Sequence, residues 1–179
     1  MSMNHNAFVF DYASFEAELR PLLLETLATN EVLRLAAWIE ANRFSLVDPY
    51  EGKKLGPNWE KELSKPDVHQ YGDIALTKYH DPTDSIGLDD NWQDAGKTLK
   101  AHGLREEIIL GTPVGMKDRL LDPGGMGSYF QSQETVIANQ RNLEVALQNS
   151  VATDRGNLDA ALLMLRTASA SNTGLYITF

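Results

Sequence analysis

Residues 48–94 interrupt the hydrophobic rhythm of this chain: Pro49, Gly52, Gly56, Pro57, Pro66, Gly72, Pro82 and Gly87 cut the stretch into turns. Long helices must therefore lie on either side of it. Before it, Phe15, Leu19, Leu22, Leu23 and Leu27 recur at helical spacing, with Asp11 or Ser14 placed to cap and Pro21 placed to kink or restart the helix. A second helix is expected after an Asn30 cap, with Val32, Leu35, Ala36 and Ile39 on one face and Trp38 on its flank. After it, Val136, Gln140, Leu143, Leu147 and Val151 mark a long amphipathic helix. Asn157 is placed to cap another, carrying Leu158, Ala161, Leu162 and Leu165.

Strand signals are short. Within residues 74–79 the run Ile-Ala-Leu-Thr-Lys-Tyr reads as a strand in preference to the end of a helix begun at Val68. Ile108-Ile109-Leu110, stopped by Gly111 and Pro113, and Ser128-Tyr129-Phe130 also read as strands. Leu175-Tyr176-Ile177-Thr178-Phe179 alternates as a half-buried strand does, and such a strand must be paired or it becomes a sticky edge. Residues 91–103 predict a short helix, with Asp94 early, Lys97, Lys100 and His102 late, and Gly103 as the stop. The expectation is an α+β fold: one helix-rich domain over residues 1–179 with a small antiparallel sheet that includes the C-terminal strand. At 179 residues, with 42% hydrophobic and 23% charged, the chain has the material for one packed core.

Composition removes several chemistries. There is no cysteine, so neither disulfides, thiolate nucleophiles nor Cys-based zinc clusters are available, which points to a reducing compartment. The first residues lack the basic and apolar regions of a secretory signal, and no apolar run approaches the roughly 20 residues that cross a bilayer. A cytoplasmic location and no membrane role are expected. A net charge of −9 and a pI near 4.8 repel phosphate backbones and attract cationic partners, so no nucleic acid is expected among the partners. The same charge also serves solubility alone.

One internal echo stands out. Residues 48–59 align without gaps on residues 81–92, with Asp, Pro, Leu, Asn and Trp coinciding. Local physics accounts for much of it: Asp-Pro opens a turn, Leu anchors the loop, Asn caps a short helix and Trp packs its first turn onto the core. The echo overlaps a charge imbalance. Between Lys78 and Lys97 there is no Lys or Arg, while Asp81, Asp84, Asp89, Asp90 and Asp94 all fall there, flanked by Tyr79 and Trp92. Asp81, Asp84, Asp89, Asp90, Tyr79 and Trp92, with Asp48, Glu51 and Trp59 from the first half of the echo, form a candidate partner-binding surface. Acids would steer a basic protein in, and rings would hold it. The competing reading is a solvated loop whose acids cap turns.

No catalytic, metal or cofactor motif emerges. The acids do not keep EF-hand spacing. His69, Asp73 and His80 share a face only if their stretch is one helix, and Gly72 argues against that. Pro123-Gly124-Gly125-Met126-Gly127-Ser128 lacks the lysine of a P-loop and the third glycine of a dinucleotide fingerprint, so it reads as a turn. No nucleophile elbow is present, His5 and His102 lack evident partners, and the adjacent Glu106-Glu107 pair makes no acid/base dyad.

The run Tyr71-Gly72-Asp73-Ile74-Ala75-Leu76-Thr77-Lys78-Tyr79-His80-Asp81-Pro82, with Ile86-Gly87-Leu88 and Trp92, resembles small bacterial immunity proteins of polymorphic or contact-dependent toxin systems. Asp48-Pro49-Tyr50-Glu51-Gly52, and Asp122-Pro123-Gly124-Gly125 with Ser128-Tyr129-Phe130, carry the same resemblance. It implies a cytosolic protein that neutralises a toxin domain, often a basic nuclease, by affinity rather than chemistry, and it transfers no active residue. Two other expectations stand beside it: a small hydrolase or metal-dependent enzyme using acids near His80, and a structural or adaptor protein. An enclosed pocket with perturbed acids would favour the first of these, and an open acidic face the inhibitor.

Overall fold

The computed structural model describes residues 3–148, 150 and 152–179. The chain opens on strand β1 (Asn6–Phe10) and continues through α1 (Tyr12–Glu18), α2 (Arg20–Thr29), α3 (Leu33–Asn42) and a 3-10 turn (Arg43–Ser45). The broken middle holds α4 (Trp59–Glu62) and α5 (Val68–Leu76), and α6 (Trp92–Ala101) and α7 (Glu107–Leu110) follow. A two-residue ribbon, β2 (Gly115–Met116) and β3 (Arg119–Leu120), leads to β4 (Ser128–Gln131), α8 (Gln133–Gln148), α9 (Ala152–Ala170) and β5 (Gly174–Thr178).

β5 is the centre of the main sheet. It pairs antiparallel with β1 on one side and β4 on the other, in the order β1-β5-β4. The expected helix-rich α+β fold with an antiparallel sheet and a C-terminal strand is what the chain adopts. Register places Phe8 and Phe130 opposite Tyr176, so one face of the sheet is a row of rings, with the Phe130 and Tyr176 centroids 5.0 Å apart. Phe10 and Phe15 extend that row into a core shared with α2, α3 and α5. The alternate residues, Ala7, Leu175 and Ile177, face the other way into an aliphatic core built by α6, α8 and α9. Period-2 alternation thus gives β5 two different partners, one per face.

Several local expectations need correcting. Residues 74–79 are not a strand: Asp67 accepts from the backbone N–H groups of His69 and Gln70, starts α5, and carries the helix through Gly72. Gly72 is there for packing, since a Cβ would meet Leu121 Cδ1 at 2.8 Å. The run at residues 108–110 is the last turn of α7. Asn30 does not start a helix but ends α2, in the left-handed conformation at φ 62°. Asn157 lies inside α9 and ties it to α6 by donating to Thr98 Oγ1 at 3.1 Å. Val151 and the first two residues lie outside the described residues. β1 carries no period-2 signal, because Ala7-Phe8-Val9-Phe10 is apolar at every position, as befits a strand covered on both faces.

No helix among the described residues is long and apolar enough to cross a membrane.

Candidate functional site

The two halves of the echo meet in space. Residues 48–52 form a turn closed by Asp48, whose carboxylate accepts from the N–H groups of Tyr50 and Glu51 at 2.9 and 2.6 Å. Thr77 at the end of α5 fixes this turn against the helix, its hydroxyl accepting from Val47 N–H at 3.1 Å. Residues 81–85 form the second turn on the same logic, with Asp81 accepting from Thr83 N–H at 2.9 Å and from its hydroxyl at 2.7 Å. Ile86 N–H then donates to Ala7 C=O at 2.8 Å, which lays the segment beside β1. The turns touch: a Cβ on Gly52, at φ +67°, would lie 2.6 Å from Thr83 Cγ2.

Between them opens a cavity of about 230 Å³, floored by Tyr176 and Phe8 of the sheet and walled by Pro49, Pro82, Asp73 and His80. No lysine or arginine lines it. A second cleft of about 160 Å³ lies where Asp48, Tyr50 and Asp73 meet Glu62 and Gln70, so Tyr50 and Asp73 border both spaces.

The electrostatics of the wall are unusual. Burial pushes the Asp73 carboxyl up to about 7; a hydrogen bond from the Tyr50 hydroxyl opposes this, and the neighbouring Asp48 charge adds to it. Burial pulls His80 down to about 4, keeping the ring neutral at physiological pH. Its Nδ1–H donates to Leu76 C=O at 2.9 Å, which leaves Nε2 as an acceptor with no hydrogen-bond partner among the described residues. Burial also raises the Tyr176 phenol, whose hydroxyl lies 3.4 Å from Ser128 Oγ. Chemically, the wall offers acceptors and aromatic faces. The cavity and its perturbed acid are what the enzyme expectation called for, but among the described residues no hydrogen bond joins Asp73 or His80 to a serine or threonine hydroxyl and no group of three metal-binding side chains forms, so neither an activated nucleophile nor a metal centre is assembled there.

The candidate surface residues divide. Asp48, Glu51, Asp81 and Asp84 belong to the two touching turns, whereas Asp89 and Asp90 lie further on, before α6, where Asp89 pairs its backbone with that of His5. Lys53 neutralises Glu51 at 2.6 Å, but Asp48, Asp81, Asp84, Asp89 and Asp90 form no ion pair among the described residues. Two of the three rings proposed as exposed anchors are corrected. Trp59 is buried, edge-on to Tyr71, with its indole N–H donating to Glu40 at 3.1 Å. Tyr79 is buried between Phe10 and Phe15 and donates to Glu18 at 3.2 Å. Trp92 is half-buried, its indole donating to Met3 C=O at 2.9 Å and its ring 4.9 Å from Phe179. The ring that does project beside the acids is Tyr50, at 76% exposure.

The histidine expectations also change. α5 does carry His69 and Asp73 on one face, but His69 Nδ1 is occupied by Asp122 N–H at 3.1 Å, and no group of three metal-binding side chains forms among the described residues. Asp122 in turn accepts from Gly127 N–H at 2.8 Å, so the glycine run is a structural turn. His5 is buried and fully used, between Ile109 C=O and Leu88 N–H. His102 lies near both Asp154 and Ser150, yet both contacts fall on the same Nε2, which rules out a relay through the two ring nitrogens.

Comparison with family models, with curated proteins and with solved structures finds no match.

Proposed function

We propose that the chain is a protein-binding inhibitor of the immunity type, cytoplasmic, which neutralises a basic toxin domain through the face built by the two Asp-Pro turns. The observation that carries this reading is the contact of Gly52 with Thr83, because it brings together the two turns that carry Asp48, Asp81 and Asp84, beside a cavity lined by their neighbours Pro49, Tyr50, Pro82 and Ser85 and by no lysine or arginine among the described residues. Carboxylates held by their own turn N–H groups are pre-organised, so little ordering entropy is lost when a cationic partner docks. Asp89 and Asp90, further on before α6, add to the negative field of the chain, and a field of one sign raises association rates. Tyr50 supplies the aromatic contact that Trp59 and Tyr79, being interior, do not.

The test starts from a partner captured from the native host and then purified. Its affinity is compared for the wild-type chain and for the fourfold variant Asp81→Asn, Asp84→Asn, Asp89→Asn and Asp90→Asn. The expected outcome is at least a tenfold loss and a shallower salt dependence, on the order of 1.4 kcal/mol or more. Unchanged affinity and salt slope would remove the reading.

A further inference from the structure

We propose that the cavity between the two turns is a guanidinium pocket, which receives one arginine side chain of the basic partner. The inference rests on the inhibitor reading for the source of that arginine, but the pocket chemistry stands on its own geometry. The enclosure is lined by rings on several sides, Phe8, Tyr50, His80 and Tyr176, and the Phe8 and Tyr176 rings stack at 6.1 Å. Flat aromatic walls suit a planar, weakly hydrated cation better than a compact ammonium, whose hydration shell would have to be stripped. The same lining residues carry acceptors: the Asp73 carboxyl, the free Nε2 of His80, and the hydroxyls of Tyr50, Tyr176 and Thr178. A guanidinium brings five N–H donors in a fixed fork and can use several of these acceptors at once, whereas an ammonium brings three. Among the described residues, no lysine or arginine already fills the role.

The titratable and charged groups facing Asp73 are Tyr50 and Asp48 from the first turn, Glu62 of α4 across the second cleft, Tyr176 from β5, and His80 beyond the end of α5. None of them is cationic at neutral pH, so Asp73 is held largely protonated below about 7. A guanidinium supplies the missing counter-charge. Its entry expels the carboxyl proton, and affinity therefore rises with pH across neutrality.

The experiment titrates the full chain with N-acetylarginine amide, N-acetyllysine amide, N-acetylnorleucine amide and free L-arginine, followed by amide chemical shifts of residues 48–52 and 73–85. The capped arginine is expected to bind at least tenfold more tightly than the capped lysine, with no binding of norleucine, and to weaken at least tenfold between pH 8 and pH 5.5. Asp73→Asn should abolish the pH dependence and lose tenfold or more at pH 8. Tyr50→Phe keeps the ring and removes the hydrogen bond to the carboxylate, so it should weaken binding at pH 7 and recover it at higher pH. Equal binding of lysine or norleucine, or an Asp73→Asn variant that binds as before, overturns the pocket. Tighter binding of free arginine than of the capped amide overturns the assignment to a partner side chain. If the capped arginine fails while the fourfold acid variant still loses partner affinity, this inference falls and the inhibitor reading survives. If the capped arginine binds while that variant is unaffected, the reverse holds.

Discussion

The turns at residues 48–52 and 81–85 open on the same Asp-Pro pair and fold by the same carboxylate-to-backbone bonds, yet the segments that follow them end differently. After the first turn the chain reaches Trp59, which starts the one-turn helix α4 and is buried to 3% exposure. After the second it reaches Trp92, which starts the ten-residue α6 and stays half-buried against Phe179. In neither does the Asn before the Trp cap the helix through its side chain. What repeats, then, is the turn and the indole anchor. What differs is the surface each anchor covers, because the first packs onto the ring-lined core and the second onto the aliphatic one. The cavity sits at the seam where the two equivalent turns meet.

Breaking the two anchors should separate them most clearly. Trp59→Ala is expected to cost about 3–5 kcal/mol, the usual range for an aromatic removed from a core, and Trp92→Ala roughly half as much. Urea midpoints measure both, and equal losses would mean that the two halves are anchored alike.

The next effect is electrostatic and has opposite signs on the two sides of the cavity. Asp73 has a folded-state pKa near 7, above its unfolded value, so the folded state binds more protons and stability falls as pH rises through roughly 4 to 7, by up to ~4 kcal/mol. His80 has a folded-state pKa near 4, below its unfolded value, so stability rises with pH from about 4 to 6.5, by up to ~3 kcal/mol. The two slopes oppose each other in the wild type. Relative to it, Asp73→Asn should tilt the curve upward with pH and His80→Gln should tilt it downward. Parallel curves for all three would refute the burial of these groups.

Within the turns, Gly52→Ala should destabilise by roughly 1–3 kcal/mol, since it places a Cβ at positive φ and against Thr83, while Ser85→Ala in the other turn should fall within about 0.5 kcal/mol of wild type. The smallest effect concerns the acids themselves. Asn keeps a side-chain acceptor for the turn N–H groups, so Asp48→Asn and Asp81→Asn should change stability by less than about 0.5 kcal/mol, against ~1 kcal/mol for either Ala variant. Thermal melts that separate Asn from Ala would show that these substitutions report on charge in binding assays and not on folding.

Much of the fold was legible because helical and strand periods leave different marks. The restart at Pro21, the helix that opens at Trp92 and the paired C-terminal strand all follow from local spacing, and the echo correctly marked two equivalent turns. Residues 74–79 misled because their β-branched and aromatic content outweighed a capping Asp67 that lies seven residues upstream of Ile74, and because Gly72 reads as a breaker when its function is to admit Leu121. The site was legible only by halves. Acids in turns are visible in sequence, but their spatial convergence depends on Thr77 clamping Val47 and on Ile86 joining β1, both long-range bonds. Asp73 was visible only as a possible helix-face partner of His69 and His80, and nothing local joined it to Tyr50 or Tyr176. Only burial changes the chemistry of Asp73, and burial is a property of the assembled chain.

The pocket depends on the state of the Asp73 carboxyl, and carbon-13 NMR of that group across pH 3–9 reads it directly. The predicted midpoint is about 7, moving downward when N-acetylarginine amide is added. A midpoint in the ordinary carboxylate range near 4, indifferent to the amide, would contradict both the buried acid and the pocket built around it.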